Sequence, residues 1–349
     1  MILPQTYYAT LGLLILSMLC WGSWANTLKL TGKWRFELYY FDYAFGTLLA
    51  AAVAAFTFGS LGFDGFSFLD DLLLTGKRNL ALGAAAGAVF NLANMLLVAA
   101  ITVAGMAVAF PMGIGLALVI GVVWSYLLNP VGSPVLLFGG AALVLGAVII
   151  NSVAYRLRER ARQLERAKQG LLKTSMPRVS PKGIILSLAC GLLMGSFFPL
   201  VEMAKHSGIG AGPYTIGFMF AAGIFASTFV FNLFFMNLPV EGRPVEIRDY
   251  FLTGSLWQHA LGVLGGVIWF TGAIANFVAA SAEGDAQAGP AVSYGLGQGA
   301  TMISALWGIF LWKEFSGADL RVRLLLAIMF VLFLTGLGLV SVAPLYSAS

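Results

Sequence analysis

Apolar runs of about twenty residues recur along the chain, and short segments between them hold most of the polar and charged positions. Ten runs read as roughly 8–29, 39–62, 79–99, 104–127, 134–155, 183–203, 213–237, 256–280, 286–312 and 322–344. A helix needs about 20 residues to cross a hydrocarbon core about 30 Å thick, so each run suffices. Each must be helical, because an open strand edge leaves backbone groups unsatisfied in lipid. The pattern predicts an all-α polytopic membrane protein with ten transmembrane helices. The first run has no basic stretch ahead of it and outlasts a signal-peptide core, so it is expected to be retained.

Composition sharpens this. The 349 residues are 59% hydrophobic and 10% charged, against roughly 45–50% and about 25% in soluble proteins. A water-soluble enzyme is excluded, and the connecting segments are too short for a sizeable extramembrane domain. Cys20 and Cys190 lie in apolar runs, which excludes a disulfide framework. The two histidines, His206 and His259, are too scattered for most metal chemistry. Gly170-Leu-Leu-Lys-Thr-Ser175 lacks the earlier glycine and the Gly-Lys step of a phosphate loop. Neither an enzyme nor a cofactor is expected.

The net charge of +5 reflects topology rather than nucleic-acid binding, since nine of the twenty Lys and Arg lie between Arg156 and Lys182. With ten spans, seventeen of the twenty fall on one side and only Lys77, Arg78 and Lys205 on the other. Positive residues stay in the cytoplasm. Both termini are therefore expected outside, in a bacterial plasma membrane, with the Arg156–Lys182 connector inside. Arg156 to Lys168 reads as a short charged helix at the membrane surface. Its role is either lipid-regulatory or that of a plain connector.

The connector, 156–182, separates residues 1–155 from 183–349. A shift of 173 lays Leu19, Gly22, Ser23 and Trp24 on Leu192, Gly195, Ser196 and Phe197. A shift of 179 lays Leu82, Gly83, Gly87 and Phe90 on Leu261, Gly262, Gly266 and Trp269, and Ala107, Ala109 and Pro111 on Ala286, Ala288 and Pro290. Five spans per half is odd, so the halves would insert with opposite orientation, the 5+5 arrangement that underlies alternating access around a midplane site.

Polar residues inside spans should face an interior space, since exposing them to lipid is costly. In span 9, Ser293, Tyr294 and Gln298 stand among glycines, and Tyr294 and Gln298 share a helix face. Asn91 and Asn94 share a face of span 3, as do Trp269 and Asn276 in span 8. Trp21, Ser23, Trp24 and Asn26 cluster in span 1. Amides both donate and accept hydrogen bonds, and flat rings stack on a sugar or heterocycle. The alternative for each is packing between helices. Pro111 and Pro290 are read as paired helix kinks, which either line a cavity or serve packing. Spans 5 and 10, nearly devoid of polar residues and rich in glycine (Gly139, Gly140, Gly146), are read as peripheral, facing lipid or a second copy in a homodimer.

Two carboxylates are candidates for a coupling proton. Glu202 closes span 6 beside Lys205 and His206, and either burial raises its pKa or it pairs with Lys205. Asp42 lies near the cytoplasmic end of span 2, where a structural pair with Lys29 competes with a relay role. Glu283 and Asp285 are expected to be solvated.

Three segments carry a resemblance: Cys20-Trp-Gly-Ser-Trp24; Asp42-Tyr43 leading into Phe56-Thr-Phe-Gly-Ser-Leu-Gly62; and Ser304-Ala-Leu-Trp-Gly-Ile-Phe-Leu-Trp-Lys-Glu-Phe315. Together they resemble the drug/metabolite transporter superfamily. Within it the chain is most similar to the branch of ureide permeases, glucose/ribose porters and rhamnose–proton symporters. The resemblance implies a cavity lined by helices 1, 3, 4, 6, 8 and 9. It also implies a solute carrier for sugars, or for ureides and nucleobases, often proton-driven. Glu314 matches the acid that commonly closes span 9. Asn129 stands at the equivalent place in span 4, so the acid is not duplicated and Glu314 is read as structural.

The expectation is a secondary active transporter of a small neutral polar solute, with a monosaccharide placed first and proton coupling. The alternatives are a ureide, purine or pyrimidine permease and a non-transporting membrane protein. Expected partners are the solute, the lipid bilayer and protons, without nucleic acid.

Overall fold

The computed structural model describes residues 1–168, 181–206, 210–239 and 243–346. The phosphate-loop lookalike and most of the connector's second half lie outside them. Among the described residues, nine helices are long and apolar enough to cross a membrane. A further helical stretch, Pro290 to Phe310, is broken in the middle.

Helix α1 is Tyr7–Ser23 and resumes after Trp24 as the short helix Ala25–Leu30. Helix α2, Phe36–Phe56, starts and ends earlier than the apolar run suggested. It ends at a Thr57 cap, and in the segment beyond it Gly62 and Gly65 take φ of 137° and 59°, so the Phe56–Gly62 motif leads out of the membrane helix. Helix α3 is Lys77–Ala104.

Helix α4 begins without a loop. Gly105, at φ 76°, breaks the chain from α3, a turn of π-helix spans Phe110–Ile114, and α4 proper is Gly115–Leu128. Pro111 sits in that π turn, the local widening that often marks a functional place in a helix. Pro290 departs from expectation. It is the first residue of a helix, where a missing N–H costs nothing, rather than a kink within one. The break in α9, Pro290–Gly297 then Ala300–Phe310, falls at Gln298 and Gly299.

Helix α5, Pro134–Lys168, has 35 residues and carries the first connector charges on the same helix. At 1.5 Å per residue it is about 52 Å long and projects well past the hydrocarbon. Arg156–Lys168 is thus a continuation of span 5 rather than a separate surface helix. The remaining helices are α6 Pro181–His206, α7 Pro213–Asn237, α8 Leu256–Ala280 and α10 Leu320–Val342.

Packing runs across the two halves. Helix α3 packs on α6 and α7, α8 on α1 and α2, α4 on α6 and α9, and α5 on α10. Small residues let these backbones meet. A Cβ at Gly266 would lie 2.0 Å from the Tyr43 carbonyl oxygen, and one at Gly87 2.0 Å from that of Phe220. Gly140 and Gly336 pack α5 on α10, whereas Gly139 faces open space.

Hydrogen bonds sort the loops into two ends. At one, Met1 binds Asp64 and Phe66, Tyr7 donates to the Ser341 carbonyl, Thr10 to that of Ala286, and the Gly212 amide to Asp71. The Ser133 amide donates to Ala343 there. At the other, Lys29 meets Glu314, Arg35 donates to Arg243, and Gln258 to Thr31. Met1 and the segment at Ser341–Ala343 thus share one end, and among the described residues the loops of the other end carry Lys29, Arg35, Arg243 and Lys313.

Candidate functional site

Aromatic rings fill the middle of the bundle. Trp21 of α1 stacks on Trp269 of α8, with centroids 6.0 Å apart and planes 15° apart. Trp269 in turn stacks on Phe90 of α3 at 4.3 Å and faces Phe220 of α7 at 6.1 Å. Trp24 packs on Tyr43 at 5.0 Å. Such pairs form because each helix presents a ring to the seam where small residues, Gly272 and Gly297, let Trp21 approach.

The predicted amides are buried beside these rings. Asn276, fully buried, donates to Ser17 Oγ at 3.2 Å and to the Ser293 carbonyl at 3.0 Å, leaving Oδ1 without a partner. The Trp21 indole N–H and the Tyr43 hydroxyl also lack partners. Asn91 donates from Nδ2 to Ile224, Ser227 and Thr228, tying α3 to α7, and its Oδ1 is unpartnered. Asn94 donates to the Tyr40 hydroxyl at 3.1 Å. Unmatched buried polar atoms are rare and costly, so their collection at the core is a property of the site.

Other predicted residues are placed elsewhere. Ser23 accepts from Trp307 at 2.8 Å and Asn26 from Trp312 at 2.6 Å, both linking α1 to α9 away from the central stack. Tyr294 is buried and donates to the Ala117 and Met194 carbonyls, so it locks α9 to α4 and α6. Ser293 caps back onto Gly289, and Gln298 sits half-buried at the α9 break.

The acids are regrouped. Lys29 pairs with Glu314 at 2.5 Å, and Tyr155 donates to the same carboxylate at 2.7 Å. The expected Lys29–Asp42 pair does not form. Asp42 accepts from the Tyr250 hydroxyl at 2.5 Å and meets His259 Nδ1 at 2.7 Å. Trp34 packs edge-on against His259, with centroids 4.9 Å apart. Burial, then the bond to Asp42, raises the Tyr250 phenol above its ordinary range, so it stays a donor. Sequence reasoning set His259 aside as a lone histidine. The available signal was a histidine one turn into a membrane helix, where an ionisable group needs a partner. Glu202 forms a buried pair with Lys205 at 2.6 Å.

A cavity of about 200 Å³ opens towards the basic end between α2, α3 and α7, and none of the residues predicted to bind substrate line it. Among the described residues, no cluster of His, Cys, Asp and Glu could hold a metal ion.

This apolar helical bundle matches known transporters. The ureide permease family model matches residues 39–180. Ureide permease 2 of Arabidopsis thaliana is 25% identical, aligning 97% of this chain with 98% of its own length. Ureide permease 1 of the same plant is 24% identical over 96% of each. Along nearly its whole length the chain is similar to the ureide permeases. This permease is therefore an integral membrane transporter rather than an enzyme. A solved crystal structure 17% identical shares the fold, with a TM-score of 0.60 over 96% of this chain and 98% of that one. The permeases matched are plant proteins, so the bacterial placement gains no support from them. They likewise favour the ureide alternative over the monosaccharide placed first.

Proposed function

We propose that this permease carries a small, neutral, ring-shaped ureide, driven by protons. The observation that carries the reading is the core itself: the Trp21–Trp269–Phe90 stack beside the unpartnered Asn276 Oδ1 and Trp21 N–H. A ureide ring has faces for stacking, N–H groups for an amide oxygen and carbonyls for an indole N–H. A sugar uses hydroxyls more than ring faces and is served less well by such a stack.

The packing pattern supports alternating access by a 5+5 inverted repeat with ten crossings. The partners of α3, α6 and α7, become α1 and α2 for α8 when the halves are exchanged, and α2–α7 and α5–α10 map onto themselves. The excess of Lys and Arg favours a cytoplasmic basic end and outward termini.

Proton coupling is assigned to Asp42 with His259. Asp42 faces His259 of α8, Tyr250 of the short helix Ile247–Leu252 and Tyr39 of its own helix. The nearby cations Lys29 and Arg35 are engaged by Glu314 and Glu37. Glu202 is already neutralised by Lys205.

Thermal melting of the detergent-solubilised permease tests the substrate class, because a ligand that binds the native state stabilises it by mass action. Allantoin should raise the melting temperature in a concentration-dependent way and glucose should not. A shift with glucose alone overturns the reading.

A further inference from the structure

The cavity at the basic end has a polar inventory of its own. Arg35, Phe36 and Glu37 at the start of α2, Met95, Val98, Ala99 and Thr102 near the end of α3, and Asn232 and Phe235 of α7 line its 200 Å³. That is below the roughly 300–1,000 Å³ of drug-sized sites, so it suits one small ring system. Arg35 spends Nε and Nη2 on Glu37, at 3.0 and 2.6 Å, and Nη1 on the Arg243 carbonyl. The guanidinium is therefore neutralised, and Glu37 beside it repels an anion. Beside the two N–H groups that Arg35 keeps, the cavity holds a buried acceptor without a donor. Asn232 is 1% exposed, its Nδ2 donates to the Glu37 backbone carbonyl at 2.6 Å, and its Oδ1 has no partner. Thr102 donates to Val98 and so presents only an acceptor. A buried acceptor without a donor is costly, and a ligand that brings N–H groups relieves it.

The cavity also leads inward along rings. Phe36 packs on Tyr40 at 5.0 Å, Tyr40 on Tyr43 at 5.0 Å, and Tyr43 on Trp269 at 6.4 Å. Tyr40 and Tyr43 are fully buried, and Asn94 holds the Tyr40 hydroxyl. This ladder both joins the cavity to the central stack and shuts it off.

We infer that the cavity is a vestibule site that takes a neutral, N–H-rich ring by donation to Asn232 Oδ1, and that the Tyr40–Tyr43 pair is the barrier between it and the central stack. The substrate class rests on the proposed function; the site itself is tested separately. In a Thr102→Cys chain, with the wild-type chain giving the background from Cys20 and Cys190, allantoin should slow labelling of Cys at 102 by a thiol reagent and glucose should not. Undiminished labelling in saturating allantoin overturns the site, whether or not the permease transports ureides.

Transport adds sidedness. In oriented proteoliposomes, Asn232→Leu should raise the half-saturation for allantoin about tenfold from the basic side, the size of one lost hydrogen bond of about 1.4 kcal/mol. It should leave the opposite side unchanged, and Asn232→Gln, which keeps both the amide donor and the acceptor, should restore most of it. An equal change on both sides, or none, overturns the assignment. If Asn232→Leu fails to fold, Thr102→Trp, which fills the cavity from an exposed position, must give the same one-sided effect.

Discussion

Asp42 and His259 are 217 residues apart in sequence, yet Asp42 Oδ2 and His259 Nδ1 lie 2.7 Å apart across the α2–α8 contact. This pair places an ionisable couple on two helices from opposite halves, where a change in protonation alters the contact between them. Replacing Asp42 with Asn keeps the shape and removes the proton. We expect Asp42→Asn to abolish accumulation driven by a pH gradient while retaining exchange of labelled for unlabelled solute. Loss of both in a folded protein would assign Asp42 to structure.

Tyr250 donates to Asp42 Oδ1. A donor to a carboxylate stabilises its ionised state, so Tyr250→Phe should raise the proton affinity of Asp42. The midpoint of the pH profile of uptake should therefore move to higher pH. A shift to lower pH, or an unchanged profile with unchanged rate, contradicts the role given to this hydroxyl.

Trp269 and Asn276 present the central ring face and the free amide oxygen. Asn276→Ala should lower allantoin uptake about five- to thirtyfold, since one lost polar contact is worth roughly 1–2 kcal/mol. It should also lower the melting temperature, because Ser17 and the Ser293 carbonyl lose a partner. Trp269→Ala should lose both uptake and allantoin-induced stabilisation. Retained stabilisation in both variants would move the site elsewhere.

Gly266 tests the close crossing of α8 on α2. An alanine there puts its Cβ against the Tyr43 carbonyl oxygen, and backbone yields less readily than a side chain. Gly266→Ala should destabilise by roughly 1–3 kcal/mol, read as a lower melting temperature. Gly139→Ala, with nothing within 4 Å of its Cβ, should have no such effect.

Much of this was legible in the chain. Spans 213–237 and 256–280 read from hydropathy coincide with α7 and α8, because apolar length is a one-dimensional property. The burial of Asn91, Asn94 and Asn276 followed from the cost of polar groups in lipid. Pairings did not follow. Lys29 is near Asp42 in sequence, but Glu314, 285 residues away, reaches it across the basic end. The start of α9 at Pro290 depends on the left-handed backbone of Gly289, φ 78°, which a proline in an apolar run does not reveal. The vestibule escaped notice because Arg35, Glu37, Thr102 and Asn232 come from the ends of three spans and read singly as ordinary boundary residues.

The most direct measurement is uptake of labelled allantoin into proteoliposomes holding the purified permease, with and without an inward proton gradient. Allantoin should accumulate above the external concentration only with the gradient, and labelled glucose should not accumulate. Accumulation of glucose, or no movement of allantoin, uracil or any other ureide or nucleobase under either condition, would contradict proton-driven ureide transport.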